Sequence, residues 1–169
     1  MSGIIDFHSH ILPGIDDGSG SVEESAAMLR QEAAQGINHV IATPHFYARY
    51  DDPAVFLEAR AQAERQGLIP VVAHVDRYIS PLRTYGIPDR LAQLPVLVQA
   101  NAGFFLRGST RSLALKLLRQ DKIHLLGSDC HNLTTRPPLL GDAVEVIRKK
   151  LGEEPLERIR YYQKELLTE

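Results

Sequence analysis

Short apolar runs alternate with longer amphipathic segments along this chain. Five runs rich in Ile, Val and Leu have the length and the bounding residues that are typical of strands, at residues 4–8, 39–43, 69–74, 96–101 and 123–128. Helical patterns lie between these runs, and strands that alternate with helices usually pair in parallel through crossover connections. The pattern therefore predicts an α/β fold with a parallel sheet or barrel.

The first predicted helix has clear signals at both ends. Ser21 and Glu24 form an S-x-x-E capping box, and Gly36 is placed to end the helix. Four apolar residues recur at helical spacing. They predict a buried stripe, which consists of Val22, Ala26, Leu29 and Ala33.

A second helix is predicted at residues 52–66. It opens with Asp52 as the N-cap and Pro53 at the first helical position, and Gly67 follows its end. The remaining helices are predicted at residues 88–94, 110–120, 140–151 and 155–167.

Metal-binding side chains gather at the ends of the predicted strands. His8 and His10 stand at i and i+2, so on a strand both point to one face, and Asp129 and His131 repeat this spacing. Three further polar residues end strands in the same way: His45, His74 and Asn101. The carboxyl ends of parallel strands carry the chemistry in α/β barrels. Imidazole and carboxylate bind Zn, Mn or Fe, so we predict a divalent metal site and metal-assisted hydrolysis.

Two aspartates and two arginines near these positions have more than one interpretation. Asp16 and Asp17 precede Gly18, so they form a tight turn, and one of them is also a possible ligand. Arg77 and Arg136 follow strand ends. A single such arginine is typical of a protein surface, but two beside a metal cluster favour bidentate binding of phosphate oxygens. We therefore expect this pair to be catalytic.

Other residues near the cluster have less specific interpretations. Cys130 lies between two predicted ligands and would point away from them on a strand, so we expect a small buried residue rather than a nucleophile. Phe46, Tyr47 and Tyr50 follow His45 and either line a substrate pocket or pack the loop.

The composition limits the functions that the chain can have. With 169 residues, of which 44% are hydrophobic, we expect residues 1–169 to form one domain with one core. A net charge of -2 gives no reason to expect nucleic acid or an anionic membrane as a partner. The single cysteine excludes an internal disulfide and suits a reducing cytoplasm. We find neither a signal peptide pattern nor an apolar run of the ~20 residues that a membrane span needs.

Four blocks of sequence resemble the PHP (polymerase and histidinol phosphatase) superfamily. They are residues 6–18, 41–45, 72–77 and 128–132, the last followed by Arg136-Pro137. The closest resemblance is to the bacterial protein-tyrosine phosphatases of the CpsB/YwqE type, which regulate capsule and exopolysaccharide synthesis. The resemblance implies a distorted (β/α)7 barrel with three metal ions, such as manganese, that hydrolyses phosphotyrosine with a metal-activated water.

The resemblance also implies a role for each predicted site residue. One ion would be held by His8, His10 and Asp129, a second by Asp17, His45 and His131, and a third by a set that includes His74. Arg77 and Arg136 match the arginines that bind the phosphate.

The chain departs from the family pattern in its middle. Val75-Asp76 stand where Pro-Glu is usual, and the segment between His45 and His74 is many tens of residues shorter than in the family. The missing part normally holds two βα units and two glutamate ligands, whereas this interval offers only Glu58 and Glu64. We therefore expect about five βα units rather than seven, two or fewer metal ions, and self-association through unpaired sheet edges.

Three functions are compatible with these observations. The first is a metal-dependent phosphatase that acts on phosphotyrosine in proteins. The second is a phosphatase of small phosphate esters such as histidinol phosphate. The third is a truncated, catalytically weak protein that still binds metal, which the absent glutamates favour.

Overall fold

Five short parallel strands and seven helices make up the described part of the chain. The computed structural model describes residues 3–14, 16–37, 39–43, 45, 70–82 and 84–167. The strands are β1 (Asp6–Ser9), β2 (Val40–Ala42), β3 (Val71–Val72), β4 (Leu97–Asn101) and β5 (Leu125–Gly127). The helices are α1 (Val22–Ala34), α2 (Val75–Tyr78), α3 (Ile87–Leu91), α4 (Ala102–Leu106), α5 (Gly108–Arg119), α6 (Leu140–Leu151) and α7 (Glu154–Leu167).

The strands run in the order β2-β1-β5-β4-β3. β1 pairs with β2, and β3, β4 and β5 form a second parallel sheet. The segment after β5 joins the two sheets, because the amide of Asp129 donates to His8 O at 2.8 Å and the amide of His10 donates to Cys130 O at 2.9 Å. The α/β class with parallel pairing is thus confirmed, and the carboxyl ends of β1 and β5 lie side by side.

Gly127 permits the close contact between β5 and β1. A Cβ atom at this position would lie 2.5 Å from Cβ of His8 and 2.7 Å from Nε2 of Gln99. Any other residue would push the two strands apart, so this glycine keeps the side chains at their carboxyl ends within contact distance.

Helix α1 begins and ends where the sequence predicts. The hydroxyl of Ser21 accepts from the amide of Glu24, and Gly36 follows the helix with a φ of +82°. The Glu24 carboxylate caps the amide of Gly20 rather than that of Ser21.

The predicted buried stripe of α1 is wrong. Val22 is 66% exposed and Leu29 is 45% exposed, and Ala33 also faces solvent. The buried row is instead Ser25, Met28 and Glu32, which stand at i, i+3 and i+7. The helix therefore buries a row with a single apolar residue, and it brings a carboxylate into the interior.

The main core lies between the sheet and the helices of the second half of the chain. Phe105 of α4, Leu118 of α5, Ile147 of α6 and Ile159 of α7 are almost completely buried against β4 and β5. A smaller cluster joins Ile11, Met28 and Cys130 beneath β1.

The remaining predicted elements differ in detail from those observed. α2 and α4 were not predicted, and the predicted strand at residues 69–74 is strand only at Val71–Val72 among its described residues. The predicted helix at residues 52–66 lies outside the described residues, as do Glu58, Glu64, Phe46, Tyr47 and Tyr50. The count of five βα units therefore stays a prediction. None of the described helices has the length and apolarity that crossing a bilayer requires.

Candidate metal centre

All seven predicted ligands lie together at the carboxyl ends of the strands. They form two groups in which one donor atom of each residue lies within 4.8 Å of those of the others. One group consists of His10, Asp17, His45 and His131, and the other of His8, His74 and Asp129.

The two groups meet at Asp129. Its Oδ1 atom lies 3.4 Å from Nε2 of His8 and 3.5 Å from Nε2 of His10, and the two imidazole nitrogens are 3.3 Å apart. When ligand atoms lie about 2 Å from an ion in a tetrahedral or octahedral shell, neighbouring ligand atoms are roughly 3 to 3.5 Å apart, which matches these distances. These three atoms form a triangle of suitable size to hold a divalent cation.

Hydrogen bonds on the far side of two histidines orient them. Nδ1 of His131 lies 3.0 Å from the carbonyl oxygen of Asp129, and Nδ1 of His10 lies 2.7 Å from the carboxylate of Asp16. A carbonyl or carboxylate oxygen only accepts, so each Nδ1 must carry the proton. The Nε2 lone pairs of both rings are therefore available to a cation, as in metal sites where an outer partner fixes the histidine tautomer.

His8 is oriented by a hydroxyl from the neighbouring strand. Oγ1 of Thr43 lies 2.8 Å from Nδ1 of His8, and the same hydroxyl lies 3.2 Å from the carbonyl oxygen of Ser9. If the hydroxyl donates to this carbonyl, it accepts from Nδ1, and Nε2 of His8 is again left for the cluster.

Asp16 organises the loop that precedes helix α1. Its carboxylate accepts from the amides of Gly18 and His45 at 2.9 Å and 2.8 Å, in addition to the bond with His10. These contacts outweigh burial and lower the pKa of Asp16 to about 2. Asp17 points the other way, with Oδ1 3.3 Å from Nε2 of His45 and 3.5 Å from Nε2 of His131. Asp16 therefore supports the cluster, while Asp17 belongs to it.

The two oxygens of Asp129 have different surroundings. Oδ2 accepts from Arg136 at 2.6 Å, from Asn101 at 3.0 Å and from Arg77 at 3.5 Å. Oδ1 is buried and has no hydrogen-bond donor among the described residues, and the same holds for Nε2 of His131. Buried polar atoms without partners are rare in folded proteins, so these two atoms are suited to bind a cation.

The electrostatics of the cluster favour a cation. Burial opposes charge on Asp129, but His10, His8 and Arg136 hold the pKa of this carboxyl far below its usual range. Burial would lower the pKa of His10, yet Asp129 and Asp16 outweigh it and raise that pKa. The carboxylates thus produce a negative potential at the imidazole nitrogens, where a divalent ion would bind.

His74 lies beside His8 and Asp129 in the cluster. It adopts a left-handed backbone conformation with a φ of 55°, and its ring packs edge-on against His8 with the centroids 3.9 Å apart. Burial and the neighbouring His8 lower the pKa of His74 to about 4, so the ring is neutral at pH 7. Gln99 accepts from the His74 amide at 2.9 Å, and Asn101 contacts its Nδ1 at 3.3 Å.

A cavity of about 470 Å³ opens beside the cluster. Arg77, Arg107 and Arg136 line it together with Asp129, and Leu106, Pro137 and Leu139 form an apolar side. The volume is that of a typical small-molecule site. Cationic side chains next to a metal-binding cluster are the arrangement that a phosphate ester needs.

The donor set fits divalent metal ions. It combines neutral imidazole with carboxylate, it presents buried lone pairs without partners, and outer hydrogen bonds hold it in place. By proximity alone His10 also lies with Asp17, His45 and His131, and His74 lies with His8 and Asp129, so the assignment of ligands to each ion stays a prediction. The sequence did not reveal the supporting roles of Thr43 and Asp16 or the position of Arg107, because each depends on contacts between distant segments.

The family model of capsular polysaccharide synthesis proteins, CpsB/CapC, matches residues 4–61 and 47–168. The tyrosine-protein phosphatase YwqE of Bacillus subtilis is 26% identical over 220 residues, with 89% of this chain and 86% of YwqE covered. The tyrosine-protein phosphatase CpsB of Streptococcus pneumoniae is 24% identical over 222 residues, with 88% of this chain and 91% of CpsB covered. Both alignments are longer than this chain, so the relatives contain residues that it lacks.

A solved structure has the same fold. It comes from the work on YwqE from Bacillus subtilis and CpsB from Streptococcus pneumoniae, described as unique metal-dependent tyrosine phosphatases. It superposes with a TM-score of 0.76 at 23% identity and covers 96% of this chain and 94% of its own. Since the two stretches of the family model together span residues 4–168, the chain belongs to the CpsB/CapC family.

Proposed function

We propose that this protein is a metal-dependent phosphatase that hydrolyses phosphotyrosine in proteins. The observation that carries the proposal is the triangle of His8, His10 and Asp129, whose unpartnered Oδ1 lies 3.4 Å and 3.5 Å from the two imidazole nitrogens. The names of the relatives support the same activity, since YwqE and CpsB are tyrosine-protein phosphatases.

The proposed ligands provide two ion positions. His8, His10 and Asp129 would hold one ion, and Asp17, His45 and His131 the other. Ions bound here would supply an activated water and offset negative charge on the phosphate. We keep two or fewer as the expected number of ions at this cluster, because the described residues add no further carboxylate to the group of His8, His74 and Asp129.

Arg77 and Arg136 are the proposed phosphate-binding residues. Their side chains are 46% and 36% exposed at the mouth of the cavity, and both reach the Oδ2 atom of Asp129. A guanidinium group has five N–H donors in a planar fork, so one bond to Asp129 leaves donors for the phosphate. The carboxylate would thus hold the arginines in the orientation that presents them to the substrate.

The apolar side of the cavity suits an aromatic phosphate ester. Leu106, Pro137 and Leu139 line the same cavity as the arginines and can contact a phenyl ring while its phosphate contacts the guanidinium groups. A small polar ester such as histidinol phosphate would use the same cationic side but gain less from the apolar one.

A catalytically weak metal-binding protein is the second candidate. Each of the two proposed ions has three donor residues among those described, so the protein supplies few ligands to either ion. Such a protein would bind metal at the cluster but turn over phosphate esters slowly.

The deciding experiment compares three substrates on one metal-analysed sample. A phosphotyrosine peptide, p-nitrophenyl phosphate and histidinol phosphate are assayed before and after chelation. The proposal expects the two aromatic esters to be hydrolysed faster than histidinol phosphate and all turnover to disappear with the metal. Bound metal without measurable turnover of any ester would favour the second candidate.

A further inference from the structure

A second group of potential metal ligands lies beneath the histidine cluster. It consists of Asp6 on β1, Glu32 on α1 and Cys130 after β5, and each of these residues is 0% exposed. One donor atom from each lies within 4.8 Å of the others. Three elements that are far apart in sequence therefore deliver two carboxyl groups and a thiol to one interior position.

Most carboxyl oxygens in this group lack hydrogen-bond partners. Oδ1 of Asp6 accepts from the amides of His8 and Ser128, both at 2.9 Å. Oδ2 of Asp6 and both oxygens of Glu32 are buried and without a partner in the part of the chain that the structure describes. An unpaired buried polar group costs about 1–3 kcal/mol, and more if it is charged. Three such oxygens at one point need a physical explanation.

A shared proton explains only part of this arrangement. Burial raises the pKa of Glu32 to about 8, with a further rise from the neighbouring Asp6, and burial raises the pKa of Cys130 to about 12. One proton between the two carboxyl groups engages two oxygens, and the neighbouring Ser128 hydroxyl donates to the His8 carbonyl, so the third oxygen stays unpaired. A cation can engage all three oxygens together with the sulfur.

We propose that Asp6, Glu32 and Cys130 form a buried structural site for a divalent metal ion, with zinc as the best fit. The unpartnered atoms supply three oxygens, and the thiolate supplies the fourth donor, which is the coordination number of structural zinc sites. Zinc binds oxygen and sulfur at about 2.0–2.3 Å, so side-chain movements of about 1 Å would close the group around it.

This site is separate from the histidine cluster. None of its three residues belongs to either group of that cluster, and the Asp6 carboxyl faces the His8 backbone rather than its ring. The ion would tie α1 to β1 and β5 and so brace the strands that present His8, His10 and Asp129. It would be bound in addition to the ions of the histidine cluster, so with two ions there the total would exceed the two or fewer ions per chain that the sequence predicts.

Cobalt gives a test that is specific for this site. Cys130 is the single cysteine of the chain, and the ligands of the histidine cluster are all nitrogen or oxygen. A sulfur-to-cobalt charge-transfer band in the near ultraviolet can therefore arise only from metal bound to Cys130. The full-length chain is unfolded, stripped of metal and refolded with Co²⁺, because a fully buried site must fill as the protein folds.

The proposal expects the band in the wild-type protein, together with one more tightly bound Co²⁺ per chain than in Cys130→Ala. Glu32→Gln should also lose this ion, while Glu23→Gln, which changes an exposed residue of the same helix, should keep both the ion and the band. Cobalt bound by the wild type without the band would overturn the proposal, and so would an unchanged cobalt content in Cys130→Ala. Asp6 and Glu32 would then be a carboxyl pair that shares a proton. The wild-type spectrum decides this even if a variant fails to fold.

Discussion

The two ends of the β4–β5 pair use histidine in opposite ways. At the start of β5, His124 donates its amide to Val98 O and accepts the Val98 amide on Nδ1, both at 2.9 Å. Its ring also packs edge-on against Tyr162, with the centroids 4.8 Å apart. Beyond the carboxyl end, His131 is equally well held through Nδ1, but its buried Nε2 has no described partner. A second nitrogen that is buried, oriented and without a hydrogen-bond partner thus indicates a metal-binding histidine.

The pKa shifts of the histidines also differ between the two ends of the sheet. Burial lowers the pKa of His124, which keeps the ring neutral and structural. At the other end, carboxylates raise the pKa of His10 against burial. The amino end of the sheet thus contributes to stability, while the carboxyl end has a negative potential and unpaired donors that stability alone does not require.

We expect Asp129→Ala to have the largest effect on the carboxyl end of the sheet. The substitution removes the one carboxylate that touches both ligand groups, so we expect loss of at least one ion and a fall in turnover of at least about 10³-fold. Elemental analysis and p-nitrophenyl phosphate hydrolysis on the same sample provide the measurement. Asp89→Asn, in an exposed pair with Lys122, is the matched control. Normal metal content in Asp129→Ala would show that the cluster is assembled differently.

Arg136→Ala tests whether the cavity beside the cluster binds phosphate. We expect kcat/KM to fall by about 10²–10³-fold, the range for the loss of one charge-stabilising donor, with metal content retained. Inhibition by inorganic phosphate should weaken in parallel. The exposed Arg90→Ala serves as the control. If Arg136→Ala changes neither the rate nor the inhibition, Arg136 is an ordinary surface arginine.

Asp16→Asn tests whether Asp16 orients a metal ligand or is itself a ligand. The carboxylate accepts from Gly18 on Oδ1 and from His45 and His10 on Oδ2, whereas an amide has a single acceptor oxygen and must lose the contacts on one side. We expect metal affinity to fall by about 10–100-fold, as for other outer-sphere partners of histidine ligands. Asp17→Asn, which changes a proposed ligand, should have the larger effect in the same competition assay. The reverse order would exchange the roles of the two residues.

His124→Asn addresses the amino end of the sheet and should have the smallest effect. The folded pKa of His124 lies below the ordinary value of 6.5, so the unfolded chain binds more protons as the pH falls through that value. The wild type should therefore lose thermal stability between about pH 7.5 and about pH 5.5, and the variant should lose less. Equal losses, measured by thermal unfolding of the metal-free proteins, would mean that His124 is not held neutral by the fold.

Local sequence patterns predicted those parts of the fold that local rules control. The capping residue Ser21 and the terminal Gly36 fix the two ends of α1. The strand positions followed from apolar runs, and the polar residues after them converged because parallel strands share one edge. The i and i+2 spacing of His8 and His10 predicted the cluster, because alternate residues of a strand point to the same face.

The incorrect and missing predictions depend on tertiary contacts. In α1 the periodicity pointed to Val22 and Leu29, but the buried face includes Glu32, whose polar character conceals its burial. α4 follows β4 directly and is nearly all apolar, so it shows no helical period. Asp16 contacts His10 only because the loop between them folds back, and the spacing of these residues in the sequence does not reveal that contact. Self-association through sheet edges stays a prediction.

The most direct test of the account measures metal content and phosphotyrosine hydrolysis on one preparation, before chelation, after it, and after metal is restored. Turnover should disappear when the ions of the histidine cluster are removed and return when they are replaced. Full turnover in the metal-free protein would contradict it.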